Sequence, residues 1–204
     1  GCIPLMDPQA RGVILFDIGG GSSELVRLDH DERGAPIIRG WISLPLGVVT
    51  LAERHGGTHV SRQTYAEMVA DVSERLQPFI DAHGAEIAAS VDAFHLLGTS
   101  GTVTTVAGIH LELPRYDRRK VDGLWMDDGD ITHTVERLIA MDYETRAANA
   151  CIGRERADLV LAGCAILDAI RAAFPCPRLR IADRGLREGM LVQMMREDGA
   201  LQSR

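Results

Sequence analysis

The sequence predicts an α/β domain whose mixed sheet begins with an antiparallel three-stranded meander and carries helices packed on it. Three strand patterns joined by short polar turns occupy the first 44 residues and predict the meander. Helical patterns then alternate with short apolar strands at residues 94–97 and 179–182, an order that is typical of α/β folds. A chain of 204 residues is long enough to form one large domain with its own core.

The meander is predicted from its hydrophobic patterns. Residues 13–16 form a continuous apolar run, which is typical of a strand buried on both faces. The second and third strands are predicted over residues 24–29 and 37–44. Residues 1–12 contain two prolines and are predicted to be a linker, so the domain itself is expected to span residues 13–204.

The helices are predicted from apolar residues that recur at three- and four-residue steps. Pro78 and Gly84 are expected to end the longest helix, and Asp130 or a neighbouring acid is expected to cap a later one. Residues 114–122 are predicted to form a basic, polar loop. In chain order, the predicted helices span residues 46–55, 61–84, 103–111, 131–140, 157–173 and 185–195.

The composition makes several kinds of binding partner unfavourable. The net charge of −7, from 29 acidic and 22 basic residues, disfavours binding to nucleic acid or to an anionic membrane surface. Only 4% of the residues are aromatic, which disfavours a stacking platform for single-stranded nucleic acid. No apolar run is long enough to span a bilayer, and the four cysteines lack metal- or redox-type spacing. We therefore expect a reduced, cytoplasmic protein with neither a nucleic-acid nor a membrane partner.

Residues 17–24, of sequence DIGGGSSE, carry the strongest functional signal. Three consecutive glycines leave the turn without Cβ atoms, so their amides can form a concave nest around an anion, and the serine hydroxyls add donors. Asp17 and Glu24 flank this nest, where two carboxylates suit a divalent cation or an attacking water. A tight hairpin without a ligand is the alternative. We favour phosphate binding by these residues: Gly19, Gly20, Gly21, Ser22 and Ser23.

Two familiar phosphate loops are excluded by the pattern around these glycines. A Walker loop needs a Gly-Lys-Ser/Thr sequence, and a dinucleotide-binding fingerprint needs a helix where this chain has a strand pattern. A second glycine-rich loop also follows an apolar strand and precedes a helix, so its amides could attract an anion or its hydroxyls could simply cap the helix. Both interpretations stay open for its residues, Gly98, Thr99, Ser100, Gly101 and Thr102.

Other polar groups are interpreted as structural. His55 and His59 have metal-ligand spacing, but the glycines between them disfavour a helix and no third ligand is evident, so we expect both to be surface histidines. His95 lies in an apolar strand and is expected to be a core histidine. A basic cluster is expected to be a solvated loop, with attraction of a long polyanion as the alternative. The cluster comprises Arg115, Arg118, Arg119 and Lys120.

Four segments in a fixed order carry a resemblance to a known family. They are VILFDIGGGSSELV at 13–26, GTSGTVTTVAG at 98–108, ERADLVLAGCAIL at 155–167 and DRGLREGML at 183–191. Together they resemble the exopolyphosphatase/guanosine pentaphosphate phosphatase (Ppx/GppA) family, which belongs to the actin, sugar-kinase and heat-shock-chaperone ATPase superfamily. The resemblance implies an actin-like, ribonuclease H-like fold, with this chain as the second of two domains.

The resemblance also implies roles for individual residues. Asp17 and Glu24 would hold Mg²⁺ or another divalent cation, or position the attacking water, at the transferred phosphate. Residues 19–23 would bind phosphate oxygens, and the loop 98–102 would lie on the nucleotide side. The candidates for contacts with phosphate or with the first domain are Arg184 and Arg187.

The activity that the resemblance implies is release of the terminal phosphate from inorganic polyphosphate or from guanosine pentaphosphate. The family's first domain, which carries a phosphate loop and the usual catalytic base, has no match upstream of Asp17, so we expect little activity from this chain alone. The alternatives are a regulatory domain that binds a nucleotide or alarmone without turnover, and an actin-like assembly domain. The two acids favour hydrolysis, since a pure binding module needs the amide nest but not both acids.

The last helix is predicted to present an apolar face. We expect this face to be used for core or interface packing. In the resembled family this helix can also meet the first domain or a second subunit, in which case the isolated domain would expose the face and tend to form a homodimer. The apolar residues concerned are Leu186, Met190, Leu191, Met194 and Met195.

Overall fold

The computed structural model of the protein describes residues 1–198, apart from a few side chains in its last helix. The strands are β1 (Gly12–Ile18), β2 (Ser23–His30), β3 (Pro36–Leu44), β4 (Phe94–Thr99), β5 (Trp125–Asp127) and β6 (Arg178–Ala182). The helices are α1 (Val48–His55), α2 (Arg62–Ala88), α3 (Gly101–His110), α4 (Arg118–Val121), α5 (Asp128–Ala140), α6 (Tyr143–Ala148), α7 (Val160–Ala173) and α8 (Leu186–Glu197).

The described strands form one sheet in the order β3-β2-β1-β4-β6-β5. β2 pairs antiparallel with both β1 and β3, which confirms the predicted meander. β4 and β6 continue the sheet in parallel with β1, and β5 pairs antiparallel with β6, so the sheet is mixed as predicted. The carboxyl ends of β1, β4 and β6 therefore lie at the same edge of the sheet, where ligands bind in open α/β folds.

The main core lies between one face of the sheet and helices α2, α3, α5 and α7. α7 contributes ten buried residues and is the central helix that its apolar sequence predicts. His95 is fully buried, and its Nε2 accepts a hydrogen bond from the Asp7 amide at 3.1 Å, which confirms it as a core histidine. Within residues 1–198, every helix is too short or too polar to cross a membrane.

The first residues pack on the opposite face of the sheet. Cys2, Leu5 and Met6 are buried there in a second apolar cluster with side chains of β1, β2 and β4. The prediction that residues 1–12 form a linker was therefore wrong. Apolar side chains in this segment cover part of the sheet, and that burial favours a packed segment over an extended one.

Several helix boundaries differ from the predicted ones. α2 continues through Pro78 and Gly84 to Ala88, because its buried face packs along α7 and this packing outweighs the two local helix breakers. α5 begins at Asp128, so Asp130 lies inside its first turn, and the neighbouring acid Asp127 is at the N-cap position without a capping hydrogen bond from its side chain. α4, β5 and α6 were not predicted, because elements of three to six residues are too short to show a periodic pattern.

Candidate active site

Asp17 and Glu24 lie opposite each other at the carboxyl end of β1. The antiparallel register pairs Asp17 with Glu24, near the start of β2. Directly opposed residues project from the same face of a sheet, and both acids line one small cavity of about 220 Å³. Ser43, on β3, donates a hydrogen bond to Glu24 Oε1 at 3.0 Å. The structure thus brings together the two acids that flank the glycine loop.

The surroundings of Asp17 suit a bound cation. Its side chain reaches solvent, yet neighbouring atoms remove part of its hydration, and this loss together with the Glu24 carboxylate raises the pKa of Asp17. A divalent cation would relieve this repulsion, and Mg²⁺ is commonly held by one or two carboxylates with waters and substrate phosphates. Among the side chains that the structure describes, no three or more from His, Cys, Asp or Glu are grouped to hold a metal. The pair therefore fits Mg²⁺ together with phosphate or water oxygens.

Replacing Asp17 with asparagine is expected to stabilise the protein at neutral pH when no cation is present. Folding raises the pKa of Asp17. Ionisation of Asp17 therefore lowers the stability of the protein as the pH rises from about 3.9, the ordinary pKa of the unfolded chain, through the raised pKa of the folded protein. The gain should stay below about 1 kcal/mol, since solvent screens the two carboxylates. Urea unfolding at about pH 4 and about pH 7 measures it. The difference should grow with pH, and a variant less stable at neutral pH would contradict this account.

The glycine loop, residues 19–22, is a tight turn between β1 and β2. The Gly19 amide donates to the Ser22 carbonyl at 2.9 Å and closes the turn. Gly19, Gly20 and Gly21 all have negative φ, so the loop does not have the alternating backbone of the predicted nest. No hydrogen-bond partner is found within the described chain for the amides of Gly20, Gly21 and Ser22. These three amides can therefore bind an anion, whereas the Gly19 amide is used in the turn.

Ser23 faces away from the glycine loop. Its side chain is completely buried, and its hydroxyl donates to the Leu46 carbonyl at 2.8 Å. Ser23 pairs with Ile18 and points into the main core, while the adjacent Glu24 points to the opposite face, because side chains alternate along a strand. The prediction that the Ser23 side chain binds phosphate was therefore wrong. Ser22, which is partly exposed, stays a candidate.

α1 holds the glycine loop in place. In its first turn, the amides of Val48 and Val49 donate to the carbonyls of Gly19 and Gly20 at 2.9 and 2.8 Å. Gly47 permits this close approach, since a Cβ there would lie 2.4 Å from the Gly19 oxygen. The loop is thus anchored through its carbonyl groups and not through the amides at its tip.

Replacing Gly47 with alanine is expected to destabilise the protein by about 1–3 kcal/mol, because the added Cβ would overlap the loop backbone. Gly21→Ala is the matched control, since a Cβ there meets no described atom within 4 Å. The control should change stability by less than about 0.5 kcal/mol. Urea unfolding measures both free energies, and equal effects would show that α1 and the loop are not in close contact.

The second glycine-rich loop caps α3. Ser100 Oγ accepts hydrogen bonds from the amides of Thr102 and Val103 at 3.1 and 3.3 Å, which is the geometry of an N-cap. Gly98 is buried, and a Cβ there would lie 2.6 Å from a ring carbon of a β1 side chain. Capping by Ser100 is thus confirmed, and binding of an anion by this loop stays a prediction. Ser100 and the exposed Gly101 nevertheless line a large cavity, so their backbone is accessible to a ligand.

This cavity, of about 970 Å³, opens beside Asp17 at the carboxyl edge of the sheet. A second cavity of about 270 Å³ is lined in part by Gly19 and Gly20. Gly101 and Arg156 line both cavities. The two glycine-rich loops therefore face the smaller cavity together, while Asp17 lines the larger cavity with the second loop only.

Arg156 is a candidate ligand that was not singled out from the sequence. Its side chain is exposed, and its Nη1 lies 3.4 Å from the position that a Cβ of Gly101 would occupy. Arginine presents a planar array of donors that matches phosphate oxygens, so this position between the loops suits an anionic ligand. The available signal was its place in the segment 155–167 that carries the family resemblance.

Arg184 lines the large cavity but is paired with Asp122. Its Nε lies 3.1 Å from each Asp122 carboxylate oxygen, and its Nη2 also contacts Oδ2. The Arg184 carbonyl accepts a hydrogen bond from the Thr99 hydroxyl at 2.9 Å, which joins the second loop to this wall. Arg184 therefore supports the wall of the cavity through an ion pair. The Arg187 side chain lies outside the described residues.

The basic cluster lies at the rim of the large cavity. Arg118 pairs with Asp183 and Glu188, which line the cavity, at 3.5 and 3.3 Å. The other basic residues of the cluster are exposed, as expected of a solvated segment, and they are Arg115, Arg119 and Lys120. Attraction of a polyanion stays a prediction for this cluster.

α8 presents an apolar surface to solvent. Met190, Leu191, Met194 and Met195 are between 43% and 58% exposed. The Leu186 side chain lies outside the described residues. An exposed group of large apolar side chains is typical of a contact surface, so the expected contact with another domain or a second copy stays a prediction.

Comparison with protein families gives a match over nearly the whole chain. The model of the Ppx/GppA phosphatase family matches residues 2–198. Exopolyphosphatase 2 of Mycobacterium tuberculosis is 25% identical to this chain over 188 residues, which are 89% of this chain and 55% of that protein. The chain thus spans about half the length of the curated relatives it matches.

Solved structures share the fold. The PPX-GPPA enzyme of Aquifex aeolicus has a TM-score of 0.73 and 27% identity, over 89% of this chain and 56% of the other. An exopolyphosphatase from Cytophaga hutchinsonii has a TM-score of 0.75 and 22% identity, over 93% of this chain and 58% of the other. Both similarities agree with the actin-like fold that the sequence resemblance implies.

Proposed function

Because the chain belongs to the Ppx/GppA phosphatase family, we propose that it forms one wall of an active site that releases the terminal phosphate of inorganic polyphosphate. The observation that supports this proposal is the pairing of Asp17 and Glu24 across the glycine loop, because two opposed carboxylates near amides without a described partner would suit a cation and a phosphate. The M. tuberculosis relative, which is named an exopolyphosphatase, supports polyphosphate as the substrate.

In this proposal, groups of this chain orient and stabilise the terminal phosphate. The amides of residues 20–22 donate to its non-bridging oxygens. Arg156, which lies beside the second glycine-rich loop, neutralises negative charge on the phosphate. Asp17 and Glu24 hold Mg²⁺, which when bound supplies positive charge against the oxygens of the transferred group. The chain thus provides positioning and electrostatic stabilisation, which are the main demands of phosphoryl transfer.

The base that activates the attacking water belongs, in this proposal, to a first domain across the cleft. The match to the M. tuberculosis relative covers only 55% of that protein, which leaves room in the relative for such a domain. We therefore expect little hydrolysis by the 204-residue chain alone. The exposed apolar surface of α8 would contact the first domain, and a homodimer through the same surface is the alternative.

Guanosine pentaphosphate is the second candidate substrate. The large cavity, of about 970 Å³, has the size of a small-molecule site and reaches residues 99–101, so it has room for more than a phosphate. A regulatory domain that binds such a nucleotide without turnover would use the same space. Such a regulatory domain would not need both Asp17 and Glu24, and for this reason we place hydrolysis first.

Phosphate release from long-chain polyphosphate and from guanosine pentaphosphate tests the proposal. We compare the 204-residue chain with a protein that also contains the proposed first domain, called here the two-domain form. We expect the two-domain form to release phosphate from polyphosphate in the presence of Mg²⁺, and the 204-residue chain to be at least about 100-fold slower. Faster release from guanosine pentaphosphate would favour the second substrate. No release from either compound by the two-domain form would refute the hydrolase proposal, and equal rates would refute the need for a first domain.

A further inference from the structure

Arg146, on the short helix α6, is a buried cation held by backbone carbonyls. Its side chain is 2% exposed. Nε donates to the Ala157 carbonyl at 3.0 Å, Nη1 to Met141 at 2.7 Å and Nη2 to Thr58 at 2.9 Å. Burial lowers the pKa of Arg146, which shows that the charged form loses hydration there. One costly buried charge thus joins two nearby segments, at Met141 and Ala157, to the distant turn at Thr58.

The Ala157 carbonyl belongs to the segment that forms one wall of the candidate site. Ala157 directly follows Arg156, whose side chain lies between the two glycine-rich loops. Ala157 is itself buried, so its backbone is held by packing as well as by the hydrogen bond from Arg146. A fixed backbone at this point restricts where Arg156 can place its guanidinium group.

The Thr58 carbonyl lies in the turn after α1, the helix that holds the glycine loop. The first turn of α1 binds the loop carbonyls, and the helix ends at His55, so the turn and the loop sit at opposite ends of one short helix. Gly57 in this turn touches the other segment, since a Cβ there would lie 2.1 Å from the Asp158 carbonyl oxygen. Arg146 therefore bonds to the segment that carries Arg156 and to the turn at the far end of the helix that anchors the glycine loop.

We propose that Arg146 is a positioning residue that fixes Arg156 relative to the glycine loop. The inference rests on the proposed function for the identity of the ligand, while the contacts that support it are independent of that function. Arginine suits this task because its planar fork of donors reaches carbonyls in several directions, which the single ammonium of lysine cannot do.

Arg146→Lys in the 204-residue chain tests the inference, since it keeps the charge and removes the planar donors. We expect faster amide hydrogen exchange in residues 150–158, measured by mass spectrometry. We also expect affinity for tripolyphosphate with Mg²⁺, measured by calorimetry, to fall roughly tenfold or more. In an Arg156→Ala background, Arg146→Lys should cause no further loss of affinity, because Arg146 acts through Arg156.

Arg27→Lys is the matched control for loss of a buried arginine. Arg27 is also 2% exposed, but it pairs with Asp29 and Glu86 and lines none of the cavities described above. Its replacement should lower thermal stability and leave both the affinity and the exchange of residues 150–158 unchanged. If Arg146→Lys does not fold, Gly57→Ala disturbs the same junction with Arg146 retained, and it should weaken binding only when Arg156 is present.

Two results would overturn the inference. One is an equal loss of affinity from Arg146→Lys with and without Arg156, and the other is unchanged exchange in residues 150–158. If the unaltered chain binds no tripolyphosphate, the proposed function of the site fails. The exchange measurement then still decides whether Arg146 holds this segment, so the two failures are distinguishable.

Discussion

Replacing Asp17 with asparagine and Glu24 with glutamine together is expected to reduce phosphate release by the two-domain form by about 1000-fold or more. The double change keeps the size of both side chains but removes the two negative charges that would hold Mg²⁺. The residue 24 side chain keeps an oxygen that can accept the hydrogen bond from Ser43, so the hairpin should stay intact. Phosphate release gives the rate, and circular dichroism with thermal unfolding reports on the fold.

Glu155→Gln is the matched control for this double variant. Glu155 also lines the large cavity, and its change removes a carboxylate by the same chemistry. The control should keep a rate close to that of the unaltered protein. The double variant should still bind polyphosphate, because the loop amides and Arg156 are unchanged. Undiminished hydrolysis by the double variant would show that the two acids take no part in the reaction.

Replacing Arg156 with alanine is expected to weaken tripolyphosphate binding by the 204-residue chain by roughly 10- to 100-fold, the effect of losing a hydrogen bond between charged groups. The physical reason is its position between the two glycine-rich loops, where its guanidinium group can reach oxygens of a ligand bound at either loop. Calorimetry at low and at raised salt measures the loss, which should shrink as salt screens the unaltered protein.

Arg154→Ala is the matched control for charge in the same segment. Arg154 is exposed and lines the large cavity, but it pairs with Glu144 at 3.2 Å and does not line the smaller cavity beside the glycine loop. It should weaken binding much less than Arg156→Ala does. Equal losses from the two variants would mean that general positive charge, and not the position of Arg156, attracts the phosphate chain.

The pairing of the two acids could be predicted from the sequence because the connection between the first two strands is so short. A turn of residues 19–22 leaves a single natural register, which sets Asp17 opposite Glu24. Side chains alternate along a strand, so Ser23 points into the core when Glu24 points to the opposite face. The buried position of Ser23 could therefore also be predicted from the sequence. The local sequence therefore determines the positions of Asp17 and Glu24.

The position of Arg156 could not be predicted in the same way. It depends on contacts between segments that are distant along the chain, among them the bond from Arg146 to Thr58. The continuation of α2 past Pro78 is a similar case, because packing against α7 outweighs a local helix breaker. Tertiary contacts of this kind leave no periodic pattern in the sequence.

The most direct test of the central claim is a titration of the 204-residue chain with Mn²⁺ alone, without tripolyphosphate, followed by water proton relaxation. Mn²⁺ prefers the same oxygen ligands as Mg²⁺ and reports its own binding. If Asp17 and Glu24 hold a cation beside the glycine loop, the unaltered chain will bind Mn²⁺ and the Asp17→Asn, Glu24→Gln variant will not, although it still binds tripolyphosphate. Equal Mn²⁺ binding by the two proteins would contradict the account.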